Sequence, residues 1–323
     1  MIVRSKGQNI IRRTIDGVLL LDKPRGITSN NAVQRIKDLF HAKKAGHTGS
    51  LDPLADGMLP ICLGEATKFS QYLLDADKTY LVKIRLGIRT ASGDSEAEII
   101  SQRPVPELSK HEFKKTMTSF HGIIEQTPSM YSALKYRGQP LYKLAHQGIE
   151  VERKSRRVTI YQLNLLDFKG EIAELYVHCS KGTYVRTLVD DLGEALGCGA
   201  HVIALRRLTV VHCLEDQMVS LARLEREYEN QNKDPLDSYL LPIESMVAHF
   251  PVLKLSNATV FYLQQGQPVM VPHAHTQGFV RLRTQANQFI GIGEVLTDAR
   301  IAPRRLIKKP TNFKPRTIVA AES

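Results

Sequence analysis

Between Gly46 and Pro60 the chain reads Gly-His-Thr-Gly-Ser-Leu-Asp-Pro-Leu-Ala-Asp-Gly-Met-Leu-Pro, and no other stretch restricts the backbone as much. Three glycines and two prolines in fifteen positions argue against a regular helix or a central strand. Pro53 also pushes Asp52 toward an extended conformation. The segment therefore reads as a stiff, shaped loop. It presents Asp52 beside His47 and small hydroxyl residues, a set suited to nucleophilic or acid/base chemistry. The same spacing also suits a surface turn in which Asp52 caps its own backbone.

A chain of 323 residues, 42% hydrophobic and 24% charged, is long enough for two domains with a sizeable core. Its 44 lysines and arginines against 33 acidic residues leave a net charge of +11, which favours an anionic partner such as nucleic acid. Cys62, Cys179, Cys198 and Cys213 form no CxxC pair, so they read as reduced thiols of a cytoplasmic protein rather than disulfides or a zinc site. No apolar leader follows Met1, and no uncharged apolar run reaches transmembrane length, so the expectation is no membrane. Asn257-Ala258-Thr259 fits a glycosylation acceptor but has no leader to bring it into play.

Periodicity sketches the elements. Residues 17 to 22 read as a buried strand that stops at Lys23-Pro24-Arg25-Gly26, and a helix follows that Ser29 is placed to cap, with Val33, Ile36 and Phe40 on its inner face. Tyr80, Val82, Ile84 and Leu86 alternate with Leu81, Lys83 and Arg85, the pattern of a half-buried strand of the central sheet. Ser109 with Glu112 forms a capping box before Phe113, Met117 and Phe120. A strand through Leu175, Val177 and Cys179 leads by Lys181-Gly182-Thr183 into a helix with Val185, Leu188, Leu192 and Leu196 inward. Without a regular βαβ rhythm the class is α+β. The composition turns acidic and polar from Glu225 to Pro242, with Asn230 to Pro235 linker-like, which predicts a domain of residues 1–247. A small β domain over 248–316 follows, its short strands separated by Gly266, Gly278, Gly291 and Gly293 and its last stretch, from Arg300 to Arg316, strongly basic, then a tail, 317–323.

From 128 to 157, Tyr131, Tyr136 and Tyr142 interleave with Lys135, Arg137, Lys143, Arg153, Lys154, Arg156 and Arg157. Aromatic rings stack on bases while cations meet phosphates, as looped RNA requires; the alternative is a solvated charged hairpin. Arg186, at a strand-to-helix junction, is placed to pair with a carboxylate and to hold Asp52 ionised at neutral pH; a purely structural ion pair is the rival. Metal signals are weak, since His273 and His275 lack a third ligand at suitable spacing, and Gly291-Ile292-Gly293 is no phosphate loop.

Together these segments resemble the TruB family of tRNA pseudouridine synthases. The resemblance rests on residues 17–24, the Gly46–Gly57 loop, Lys78-Thr79-Tyr80, Tyr131-Ser132-Ala133-Leu134-Lys135, Lys181 to Arg186, and Leu205-Arg206-Arg207. It implies a pseudouridine synthase fold, a mixed and largely antiparallel sheet with flanking helices, followed by a PUA-like RNA-binding module. It implies isomerisation of uridine 55 in the T loop of tRNA, with Asp52 as the catalytic aspartate and Tyr80 stacking on the target base. Arg186 would partner the aspartate, His47 would hold the T loop open, and Tyr184 and Leu205 would line the pocket, buttressed by Lys23 and Pro24. Tyr131, Lys135, Arg137, Tyr142 and Lys143 would belong to an RNA-clasping insertion. Ser129, His146 and the segment Thr90-Ala91-Ser92-Gly93-Asp94 depart from the family pattern, at positions expected to lie away from the catalytic set.

The implied reaction detaches uracil from C1′ and rejoins it through C5, for which no cofactor or metal is called, and the partner is the elbow of tRNA without an obligatory protein partner. Two rivals remain: a tRNA chaperone without chemistry, and a glycosidase using Asp52 and Asp56. The second suffers because four residues in a proline-broken loop assure no facing geometry, and a basic clasp serves no purpose on neutral sugar.

Overall fold

The computed structural model describes residues 11–210, 213, 215–230, 236–272 and 277–308. Along the chain come β1 (Gly17–Lys23), α1 (Ser29–Leu39), β2 (Ala45–His47), β3 (Asp56–Leu63), α2 (Ser70–Leu74), β4 (Lys78–Leu86) and a hairpin of β5 (Ile88–Thr90) with β6 (Ile99–Gln102). Then follow α3 (Lys110–Met117), β7 (Gly122–Gln126), the small hairpin β8 (Lys135–Tyr136) and β9 (Gln139–Pro140), α4 (Leu141–Ala145), β10 (Arg156–Lys169), β11 (Ile172–Cys179) and α5 (Val185–Ala195). β12 (Ala200–Val210), β13 (Val219–Ser220) and α6 (Leu221–Glu229) precede a C-terminal group of β14 (Val252–Leu255), α7 (Asn257–Gln264), β15 (Val269–Met270), β16 (Gly278–Thr284), β17 (Phe289–Val295) and β18 (Arg300–Leu306).

The described residues form a nine-stranded sheet in the order β13-β1-β3-β12-β4-β11-β10-β7, with β2 added alongside β3. The β1–β13 and β3–β12 pairs are parallel and the remainder antiparallel. Period-two alternation gives the sheet two apolar faces. Leu19, Leu21, Leu59, Ile61, Val82 and Ile84 meet α1, α3, α5 and α6 on one face, while Val18, Leu20, Met58 and Cys62 meet Phe69, Tyr72, Ile243, Met246, Ile292 and Ile307 on the other. The five-stranded sheet β14-β16-β17-β18-β15 surrounds a separate core of Leu253, Leu255, Leu263, Val280, Leu282 and Ile301. Among the described residues no helix is long and apolar enough to cross a membrane.

The expected α+β architecture holds, and the capping box at Ser109 and Glu112 is formed. Three local expectations need correction. The Gly46–Pro60 stretch is not wholly loop: its last five residues open β3, which lies between β1 and β12 in the middle of the sheet. Pro60 is tolerated because its carbonyl accepts from the Thr48 N–H at 3.1 Å, so the nitrogen of the same residue points to that edge and takes no bond from β1. Gly57 is required there: its φ is +96°, and a Cβ would stand 2.3 Å from the Arg207 carbonyl oxygen. Second, Thr28 rather than Ser29 caps α1, accepting from the Asn31 N–H. Third, Gly291 and Gly293 lie inside β17 instead of separating strands. The linker-like residues 231–235, His273, His275 and the tail 317–323 lie outside the described residues.

Candidate active site

The loop before β3 is pinned through its backbone at almost every step. Gly26 N–H donates to the Pro53 carbonyl at 2.8 Å and Arg25 Nε to the Leu54 carbonyl at 3.0 Å. Ala55 N–H closes a turn on the Asp52 carbonyl. The buried Ser29 hydroxyl donates to the Leu51 carbonyl at 2.9 Å and accepts from the Leu51 N–H at 2.7 Å. The residue freed from capping the helix is thus the one that grips the loop immediately before Asp52.

Asp52 meets the guanidinium of Arg186, which stands in the first turn of α5, with Nε to Oδ2 at 3.0 Å. The Asp52 side chain keeps 39% of its surface exposed, against 9% for Arg186. A buried guanidinium needs its donors matched, and here they are. Nη1 reaches Asp94 Oδ2 at 3.1 Å and the Ser92 carbonyl at 3.1 Å, and Nη2 donates to the Tyr131 carbonyl at 3.0 Å. Asp94 is itself tied to the Ser92 hydroxyl and the Glu96 N–H. The segment from Thr90 to Asp94, expected to lie away from the site, therefore holds the arginine that holds Asp52. Gly93 fits because a side chain there would press on Arg186.

Burial pushes the Asp52 carboxyl above its usual range, with the Arg186 charge opposing and Asp94 adding to the rise. The arginine acts in the direction predicted, but loss of solvent outweighs it. Lys23 is fully buried, its ammonium donating to the Pro24 and Ile27 carbonyls at 2.9 and 2.8 Å. Burial lowers it to about 8, with Asp56 and Asp52 pulling the other way. His47 is pushed down by burial and then by the Arg207 charge, and its Nδ1 is buried without a hydrogen-bond partner.

Tyr80 and Leu205 sit in the core that also takes in Leu51, Leu54 and Ala55, on neighbouring strands β4 and β12, each 7% exposed. Burial raises the Tyr80 hydroxyl, with Arg207 opposing and Asp52 adding a small rise. Tyr184, half-buried, stands at the start of α5 without capping it; the amide of buried Gln126 grips both its backbone N–H and its carbonyl, at 3.1 and 3.3 Å. Arg156 lies over the Tyr184 ring at 5.9 Å. Pro24 is exposed at the end of β1. Asp56 faces a different arginine, Arg206, which also holds Asp22, so Asp52 and Asp56 do not form a catalytic pair.

Between β7 and β10 the insertion carries its own small core of Met130, Leu141 and Leu144. Lys135, Arg137, Tyr142 and Lys143 are exposed on it, whereas Tyr131 lies at its root, its carbonyl on Arg186. His146 packs edge-on between the Tyr131 and Tyr142 rings, at 5.8 and 6.4 Å.

Sequence reasoning gave no role at the site to Ser29, Asp94, Gln126 or Arg207. Asp94 and Arg207 had a signal, since both fall in motifs already singled out. Ser29 and Gln126 had none, because their partners lie 22 and 58 positions away.

Three family models cover consecutive parts of the chain: TruB family pseudouridylate synthase (N terminal domain) over residues 37–185, tRNA pseudouridylate synthase B C-terminal domain over 186–248, and Pseudouridine synthase II TruB, C-terminal, over 251–307. The fold is that of a pseudouridylate synthase. A protein named tRNA pseudouridine synthase B from Coxiella burnetii is 72% identical over 300 residues, covering 93% of this chain and 97% of its own. Another of that name, from Pseudomonas aeruginosa, is 54% identical over 298 residues, covering 92% and 98%. A solved Cbf5-Nop10-Gar1 complex contains a chain with a TM-score of 0.69 and 27% identity, covering 93% of this chain and 85% of that one. The chain belongs to the TruB family.

Proposed function

We propose that this protein isomerises uridine 55 in the T loop of tRNA to pseudouridine, with Asp52 as the covalent or proton-abstracting carboxylate. The Asp52–Arg186 pair carries this reading, because it fixes one part-exposed carboxylate between Leu51 and Leu54, loop residues that pack into the same core as Tyr80 and Leu205. The C1′–N1 bond of the uridine breaks and a C1′–C5 bond forms, while the proton on C5 is given up and N1 gains one. The rearrangement is redox-neutral and changes no formula, so the chemistry demands no external reductant or group donor.

Extruding the uridine costs a few kcal/mol, less in a loop than in a duplex. Stacking on Tyr80 returns about 1 to 3 kcal/mol, and the cations of the clasp meet phosphates. His47, half-buried at the end of β2 where the loop begins, suits a role in holding the T loop open. Residues 1–247 act as the catalytic domain, with the clasp at 128–157, and 248–316 as a PUA-like RNA-binding domain. The exposed cations and rings of the clasp also suit tRNA remodelling without chemistry.

Tritium release from a T-arm stem-loop labelled at uridine C5 tests substrate and carboxylate together. Wild type releases tritium and Asp52→Asn does not, although the variant still binds the RNA. A variant that still forms pseudouridine removes Asp52 from its role, and folding assays on unmodified tRNA with Asp52→Asn isolate any remodelling activity.

A further inference from the structure

We propose that Arg207 is a positioning residue for this reaction: its guanidinium ties the backbone on both sides of Asp52 to the strand that carries Tyr80, holding carboxylate and ring as one unit. The inference rests on the reading that Asp52 and Tyr80 serve uridine isomerisation. β12 places Arg207 opposite Tyr80 on one side and opposite Gly57 on the other. From there Nε donates to the Met58 carbonyl at 2.6 Å, Nη2 to the Gly49 carbonyl at 3.1 Å and Nη1 to the Ser50 carbonyl at 3.5 Å. The charge also lies against the Tyr80 hydroxyl. One side chain thus reaches the chain before the catalytic aspartate, the chain after it, and the tyrosine.

The neighbouring arginine shows what an ordinary structural role looks like. Alternation along β12 sends Arg206 to the opposite face, where it is part-exposed and paired with Asp22, Asp56 and Glu215. Arg207 is 1% exposed, and among the described residues no carboxylate pairs with it. A buried cation met only by neutral groups, three carbonyls and a tyrosine hydroxyl, is a poor way to gain stability, since an apolar side chain of similar volume would avoid the desolvation. What the guanidinium provides is geometry: its donors are fixed in a plane, so three carbonyls converging on it define the chord of the loop. Burial lowers the His47 imidazole, and the same charge adds to that lowering.

Lysine keeps the charge but offers a single point of donation, which makes Arg207→Lys the discriminating variant, with Arg207→Gln as a neutral companion. Enzyme in excess over the C5-tritiated T-arm stem-loop gives the single-turnover rate; the Kd of the same RNA and the melting temperature are measured alongside. With positioning lost by about 1 Å, Arg207→Lys reacts about 100-fold more slowly while its Kd stays near that of wild type. A full single-turnover rate, or a Kd weakened in proportion to the rate, overturns the proposal. So does failure of both variants to fold, which makes Arg207 a residue of the fold alone. Wild type run in parallel separates the two levels: an inactive wild type refutes the reaction itself, whereas an active wild type with an equally active Arg207→Lys refutes only the clamp.

Discussion

Replacing Ser29 by alanine removes one oxygen that bonds only backbone groups, and the geometry predicts a large effect on turnover. The hydroxyl is the partner of both backbone groups of Leu51, the residue before Asp52, and the site is buried. Alanine strands a buried N–H and a buried carbonyl together. At about 1 to 3 kcal/mol for each unsatisfied group, and with partial relaxation, the fold loses about 2 to 4 kcal/mol. Relaxation is what damages catalysis: if the loop shifts by about 1 Å to rehydrate Leu51, turnover falls on the order of 100-fold. Thr28→Ala is the matched control, since it removes the cap of the same helix at a cost of about 1 kcal/mol and leaves the loop untouched. Thermal melts and single-turnover isomerisation of a T-arm stem-loop are measured on both variants. Ser29→Ala with the turnover of Thr28→Ala refutes the argument that this hydroxyl shapes the catalytic loop.

Three further outcomes follow from charge. Because Asp52 titrates above the ordinary value of 3.8, the acid limb of kcat/KM lies above that pH, and Arg186→Gln moves it higher by removing the charge that opposes the rise. The linkage has a definite sign: within that window the folded chain holds a proton that the unfolded chain has released, so wild-type stability falls as pH rises through it. Melts of wild type and Asp52→Asn from pH 3 to 7 check this, the gap between them widening in favour of Asn toward neutrality. On the clasp, Lys135→Gln, Arg137→Gln and Lys143→Gln combined lower the slope of log affinity against log salt by about 2 to 3 if each cation meets a phosphate. The single-turnover rate at saturating RNA is unchanged, and an unaltered slope in a salt titration shows that these cations do not meet phosphates.

What the sequence alone determined is everything that depends on neighbours along the chain. The alternation from Tyr80 to Leu86, the inward face of α5 and the capping box at Ser109 are short-range signals, and each forms as read. The prominence of Asp52 was local as well, since glycine and proline stiffen a loop whatever surrounds it. Even the pairing of Asp52 with Arg186 was anticipated, although 134 positions separate them, because both lie in motifs marked by unusual composition.

The tertiary structure decided which side chain holds which backbone. Ser29 has a hydroxyl that either caps a helix or reaches another segment, and only the approach of Leu51 chose the second. Adjacent arginines, Arg206 and Arg207, are alike on paper; a strand turns them to opposite faces, one to carboxylates near solvent and one to carbonyls in the core. Pro60 and Gly57 read as breakers until β2, β1 and β12 are in place, for a missing N–H matters only where a partner strand would have used it. Hydrogen-bond partners and burial belong to pairs of segments brought together by folding, and no local pattern records them.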